Sequence, residues 1–128
     1  MAREQISSEK APKAVGPYSQ ACRIGGHSTV YLSGQIPIDP ATGELAGDTA
    51  AGQAGRCMEN LKAVLEAAGL TFADVVRCTI YMTDLAHFSE VNEVYARYFE
   101  DPPPARACVQ VAALPKGADV EIDAIADS

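Results

Sequence analysis

The stretch from Ala50 to Ala68 sets the tightest limit on what this chain can fold into. Apolar residues recur at Ala54, Cys57, Met58, Leu61, Val64, Leu65 and Ala68, the spacing of one face of an α-helix. Asp48 or Thr49 is placed to cap its start and Gly69 its end. Arg56, Glu59, Lys62 and Glu66 fall largely on the opposite, solvated face. A helix with one apolar stripe must bury it against another layer of structure.

The rest of the chain supplies that layer as strands. Residues 1–16 read as an exposed lead-in ending at Gly16-Pro17. Tyr18–Ile24 and Thr29–Gly34 read as two strands joined by a turn at Gly25-Gly26, in a hairpin arrangement. Pro37, Pro40 and Gly43 make Pro37–Gly47 a loop. Val76–Met82 is a further strand, and Ala86–Phe99 a second helix with Phe88, Val91, Tyr95 and Tyr98 on one side. Pro102-Pro103-Pro104 stops that helix. Ala105–Ala113 and Val120–Ala126 are strands on either side of a turn at Leu114–Ala118. The order is β-β-α-β-α-β-β in a single domain, 1–128, of the α+β class, with both helices on one face of a mixed sheet. The other face of such a sheet must also be covered, and the small and alternating apolar residues on its strands point to self-association.

Composition narrows the function classes. With 48% apolar residues and a net charge of −7 in 128 residues, the chain is not a disordered one. The acidic balance argues against non-specific binding to nucleic acid or to an anionic membrane, both of which need basic patches. The cysteines at 22, 57, 78 and 108 form no C-x-x-C pair, so neither a metal nor a redox motif is visible. Met1–Lys13 has no apolar core of a signal peptide, and no run reaches the ~20 apolar residues of a membrane helix. A soluble, reduced, cytoplasmic protein is the expectation.

Few residues carry chemistry on their own evidence. Arg106 lies in a strand otherwise made of Ala, Cys and Val, and alternation puts Arg106, Cys108 and Gln110 on one face. An unpaired buried guanidinium is costly, so Arg106 calls for a partner. That partner is either a carboxylate of the protein, such as Glu121 or Asp123, or the carboxylate or phosphate of a ligand held by the bidentate fork. The last strand places Asp119, Glu121 and Asp123 on one face, which is either solvated or presents a carboxylate able to polarise a water. A hairpin turning near Lys116 would pair Glu121 with about Val111, leaving it roughly 16 Å from Arg106. Sharing one site would then need a bent sheet, another register or a second subunit. Cys108 fits a buried thiol better than a nucleophile, because neither His27 nor His87 is spaced to serve it as a base. No P-loop, H-E-x-x-H, G-x-G-x-x-G or G-x-S-x-G occurs.

Several segments, taken together and in order, resemble a known family. They are Gly16-Pro17-Tyr18-Ser19-Gln20-Ala21, then Ser33-Gly34-Gln35-Ile36-Pro37 with Asp39-Pro40 and Thr42-Gly43-Glu44. Asn60–Gly69 and Val91-Asn92-Glu93-Val94-Tyr95 follow, then Pro104-Ala105-Arg106, Cys108-Val109, Leu114-Pro115 and Glu121-Ile122. The set resembles the RidA-type reactive-intermediate deaminases over nearly the whole chain. The resemblance implies a chorismate-mutase-like fold and a homotrimer with sites between subunits. It also implies hydrolysis of enamines and imines such as 2-aminoacrylate and 2-iminobutyrate to 2-keto acids and ammonia, with no metal or organic cofactor. Arg106 would clamp the substrate carboxylate and Glu121 would position or activate the attacking water. Cys108 would line the pocket, Tyr18 would close the cleft, and Ser33, Gly34 and Asn92 would shape or brace it. Two departures stand out: Pro103 and Ala107 occupy places where family members commonly have Phe and Ser. Alternation points Ala107 away from Arg106, so this change touches no clamp residue, while Pro103 bears on the pocket rim.

Two other roles are attributed to relatives, a holdase-type chaperone and an RNA-cleaving translation inhibitor. The first needs exposed apolar surface. The second fits poorly with the acidic charge and the lack of a basic, aromatic-rich stripe.

Overall fold

The apolar stripe of the long helix finds its cover in a six-stranded mixed sheet. The computed structural model describes residues 3–128. Its strands are β1 (Arg3–Ile6), β2 (Ala21–Ile24), β3 (Thr29–Gln35), β4 (Val75–Met82), β5 (Ala105–Gln110) and β6 (Val120–Asp127). The helices are α1 (Ala50–Ala67) and α2 (Phe88–Ala96). The sheet order is β1-β2-β3-β6-β4-β5, with β4 and β5 parallel and every other pair antiparallel.

Thr49, not Asp48, caps α1: its Oγ1 accepts from Gly52 N at 3.0 Å. Such a cap contributes about 1 kcal/mol. At the other end Gly69 takes φ +76° and lets the chain turn out of the helix. Between them Cys57, Met58, Leu61 and Val64 are fully buried, against a sheet face carrying Val30, Ile80, Val120 and Ile122, also fully buried. Asn60 is the polar exception in this layer, with no accessible surface. Its Nδ2 donates to the carbonyls of Ile38 at 2.9 Å and Ile36 at 3.3 Å, while its Oδ1 accepts from Arg56. It thus ties the loop after β3 to α1.

The helices lie on one face of a mixed sheet, and β2 and β3 form the expected hairpin. The strand count differs, six instead of five. The lead-in holds β1, an edge strand whose Arg3, Glu4 and Gln5 are exposed, so no apolar alternation marked it. Tyr18 lies outside β2, because the preceding loop is held by a side chain: Gln20 Nε2 donates to the carbonyls of Pro12 at 2.7 Å and Ser8 at 3.1 Å. The strand expected over Ala105–Ala113 ends at Gln110. Val111 N still donates to Met82 O at 2.8 Å, but β4 ends there and offers no further partner. The second helix begins after a 3₁₀ turn, Leu85–His87, capped by Asp84, and its end tightens into short-range bonds at Tyr98 and Phe99.

The largest correction concerns the C-terminal strands. They do not form a hairpin: β6 inserts between β3 and β4, and β5 lies at the edge beyond β4. The face away from the helices carries Tyr31 and Val109, 48% and 41% exposed, and among the described residues no helix covers it. Among the described residues no helix is long and apolar enough to cross a membrane.

Candidate functional site

On the open face, Glu121 stands in register with Tyr81, and its carboxylate lies against Gly34. The backbone at Gly34 is ordinary in conformation; a glycine here leaves room for the Glu121 carboxylate in its present place. A methyl group on it would fall on Oε2 of Glu121 and 3.0 Å from Cδ. The register shift of β3 against β6 between Leu32 and Gln35 brings the two residues together. Tyr18, Ser33, Gly34 and Glu121 line a cavity of about 350 Å³, whose wall includes Ile36, Ile38, Lys13 and Lys116. Ser33 Oγ donates to Ser19 O at 2.6 Å, which fixes the segment that carries Tyr18 at the cavity mouth. Tyr18 itself is 48% exposed.

Burial raises the Glu121 pKa above the ordinary carboxylate value, and the nearby charge of Asp123 adds to the rise. Asp123 is itself engaged, accepting from Tyr81 OH at 3.0 Å and Thr79 N at 3.1 Å. Glu121 accepts no protein hydrogen bond among the described residues, so its oxygens remain available to a molecule in the cavity.

Arg106 belongs to a different place. On β5 it is in register with Cys78, on the helix-covered face. Neither Glu121 nor Asp123 pairs with it. Its Nη1 donates to Asn92 Oδ1 at 2.6 Å, and its Cζ stands over the rings of Tyr95 and Phe88 at 5.1 and 5.4 Å. Phe88, Asn92 and Tyr95 are spaced i, i+4, i+7 and so lie along one face of α2. Cys108, two residues on from Arg106, is half-buried with its Sγ 3.8 Å from Met82 Sδ. Burial pushes its thiol up, against a smaller opposing effect of Arg106. His87 is occupied by Glu90, its Nδ1 2.8 Å from Oε1. His87 is therefore not placed to serve Cys108 as a base.

The two clusters lie on opposite faces of the sheet with β4 between them. Two strand spacings and three residues of offset put the Cα atoms of Arg106 and Glu121 about 14 Å apart. One chain presents both but does not join them.

Residues 8–128 match the family described as Endoribonuclease L-PSP. The chain belongs to the RidA (YjgF/RutC) family. It is 62% identical over 128 residues to Protein DfrA of Myxococcus xanthus, covering 100% of this chain and 98% of that one. It is 48% identical over 126 residues to the 2-iminobutanoate/2-iminopropanoate deaminase of Bos taurus, covering 98% and 90% of the two chains. Among solved structures, RidA from an Antarctic Psychrobacter superposes with a TM-score of 0.92 at 49% identity, covering 98% of this chain and 100% of that one.

The site residues that the RidA resemblance implies thus divide four to three. Tyr18, Ser33, Gly34 and Glu121 meet at the cavity, while Asn92, Arg106 and Cys108 gather at the β5 edge. Of the two RidA departures, Ala107 is in register with Thr79 on the open face and so points away from Arg106, as alternation requires. Pro103 lines a separate groove with Phe72, Tyr98 and Phe99. Reading the sequence missed the aromatic surroundings of Arg106. The spacing of Phe88, Asn92 and Tyr95 is the available signal, but the sequence sets Phe88 and Tyr95 on one side of the helix with Val91 and Tyr98, and Asn92 enters only through the resemblance. Among the described residues no group of three or more His, Cys, Asp or Glu could hold a metal ion.

Proposed function

We propose that this protein is a hydrolytic deaminase of small imino and enamino acids, of the 2-aminoacrylate and 2-iminobutyrate type, working as a homotrimer. Each site would combine the Arg106 cluster of one protomer with the Glu121 cavity of the next. The observation that carries this reading is the division itself. A fork for a carboxylate and a base with raised proton affinity stand on opposite faces of one sheet, where a single chain cannot use both on one small molecule. The uncovered face with Tyr31 and Val109 gives the protomers a surface on which to meet. The relatives named as deaminases supply the substrate class.

In this reading Arg106 holds the substrate carboxylate through the edge of its guanidinium not taken by Asn92. An enamine first takes a proton on its terminal carbon to become the iminium. Glu121 accepts a proton from a water as the water's oxygen bonds to the iminium carbon, giving a carbinolamine. The proton then passes to the amine nitrogen. The C–N bond breaks as the hydroxyl oxygen closes to a carbonyl and loses its own proton, and the products are a 2-keto acid and ammonium. No redox change occurs. A carboxylate with raised proton affinity is a better base than an exposed one, and free imines are already labile, so positioning and proton transfer suffice.

The test is the rate of keto-acid release from 2-aminoacrylate and 2-iminobutyrate generated in situ. The wild type should accelerate it and Arg106→Ala should reduce it to background. No acceleration by the wild type, or wild-type turnover by the variant, would overturn the reading.

A further inference from the structure

The guanidinium of Arg106 is a charged group at the end of a long flexible stem on an edge strand. Left to itself it would sample many rotamers, and a clamp that samples many orientations binds a planar carboxylate poorly. Three side chains from one face of α2 surround it: Asn92 takes Nη1 at 2.6 Å, and the rings of Tyr95 and Phe88 lie under Cζ at 5.1 and 5.4 Å. Among the described residues nothing else in the protein bonds to the guanidinium, so its remaining edge faces outward.

Tyr95 is the unusual member of this set. It is 5% exposed, and its phenol oxygen is buried with no oxygen or nitrogen partner, only the Cys78 thiol beside it. Buried hydroxyls are almost always satisfied, and a thiol is a weak partner for one. Packing alone would be served as well by an aliphatic side chain or by Phe. What an aliphatic residue cannot supply is a π face under a cation.

We infer that Tyr95 is a positioning residue: with Phe88 it forms an aromatic seat that, together with Asn92, holds the Arg106 guanidinium in the orientation that receives the substrate carboxylate. The inference rests on the clamp role of Arg106 proposed above. The seat acts through Arg106 alone, on carboxylate capture and not on proton transfer at Glu121.

The experiment compares Tyr95→Phe, which keeps the ring, with Tyr95→Leu, which keeps apolar bulk but loses it. KM and kcat for 2-iminobutyrate are measured, with inhibition by pyruvate and thermal melting. Tyr95→Phe should keep both constants and melt no lower than the wild type. Tyr95→Leu should raise KM and the pyruvate inhibition constant together by roughly two- to fivefold, with kcat close to wild type. A merely structural role would lower the melting temperature of Tyr95→Leu and leave KM unchanged in the folded protein, and that result overturns the inference. Should Tyr95→Leu fail to fold, Phe88→Leu reads the same seat from its other ring, with the same two outcomes. Arg106→Ala separates the failures: if it remains active, the clamp itself is wrong; if it is inactive while the ring variants are unaltered, only the seat is wrong.

Discussion

Arg106 and Glu121 project from opposite faces of one sheet, on strands separated by β4. Arg106 is in register with Cys78 on the covered side, and Glu121 with Tyr81 on the open side. Rearranging side chains does not bring them together, because the sheet itself lies between. A site using both requires two copies of the chain.

That requirement can be tested by subunit mixing. Arg106→Ala and Glu121→Gln should each be inactive alone. After unfolding and refolding as an equal mixture, about a quarter of the subunit boundaries should join an intact Arg106 to an intact Glu121 by random closed assembly. Activity near a quarter of wild type is the expected outcome. A mixture as inactive as its components would show that each site is confined to one chain.

Gly34 has its own consequence. Adding a methyl group there drives the Glu121 carboxylate from its place, but a carboxylate is the movable end of a flexible side chain. Gly34→Ala should therefore fold, with a stability change of under about 1 kcal/mol in either direction. Its kcat should fall roughly 10- to 100-fold, the effect of misplacing a reacting group by about an ångström. Urea titration beside steady-state kinetics checks both.

The pH dependence follows from the raised Glu121 pKa, which burial causes and Asp123 reinforces. The native state holds this proton more tightly than the unfolded chain does. The stability it contributes is complete below the ordinary carboxylate pKa and is lost as pH rises through the raised value. Glu121→Gln should thus match the wild type in acid and exceed its stability at neutral pH, while being inactive. The acid limb of wild-type kcat should lie above the usual carboxylate range. Asp123→Asn should move it down by removing the second cause. An unmoved limb would mean that a different group governs it.

How much of this was legible in the sequence depended on what kind of signal each feature leaves. The stripe of α1 was plain because eighteen residues repeat one period. β1 left no signal, since an exposed edge strand has no apolar alternation. The pairing of β5 and β6 was misread because a short turn suggests a hairpin. What decides is which strand has free edges on both sides, and that depends on β3 and β4, far off in sequence. Alternation correctly set Arg106 with Cys108, and Glu121 with Asp123. It could not relate the two pairs to each other, because period two tells the faces of one strand apart and says nothing of how two strands share a sheet. The residue roles came from the family resemblance. The aromatic surroundings of Arg106 needed the helix and the strand to be seen together.

Asn60 supports the cavity from behind and gives the last expectation. It is fully buried in α1, and its amide satisfies the carbonyls of Ile36 and Ile38, whose side chains line the Glu121 cavity. Asn60→Ala leaves the Ile38 carbonyl without a donor and opens a small void, while Ile36 O keeps the backbone N–H of Ile38 at 2.8 Å. Unsatisfied buried groups cost about 1–3 kcal/mol each, partly relieved if water enters. The variant should lose about 2–4 kcal/mol by denaturant titration. Its loop should also loosen, so amide exchange should quicken at Ile38 and Ala46, both bonded within that loop, and not at Ile80 in the core of β4. Asn60→Asp keeps the shape but replaces the donor with an acceptor facing two carbonyls, and should be at least as damaging at neutral pH. A mild effect of both substitutions would show that the loop is held by its own backbone bonds and not by Asn60.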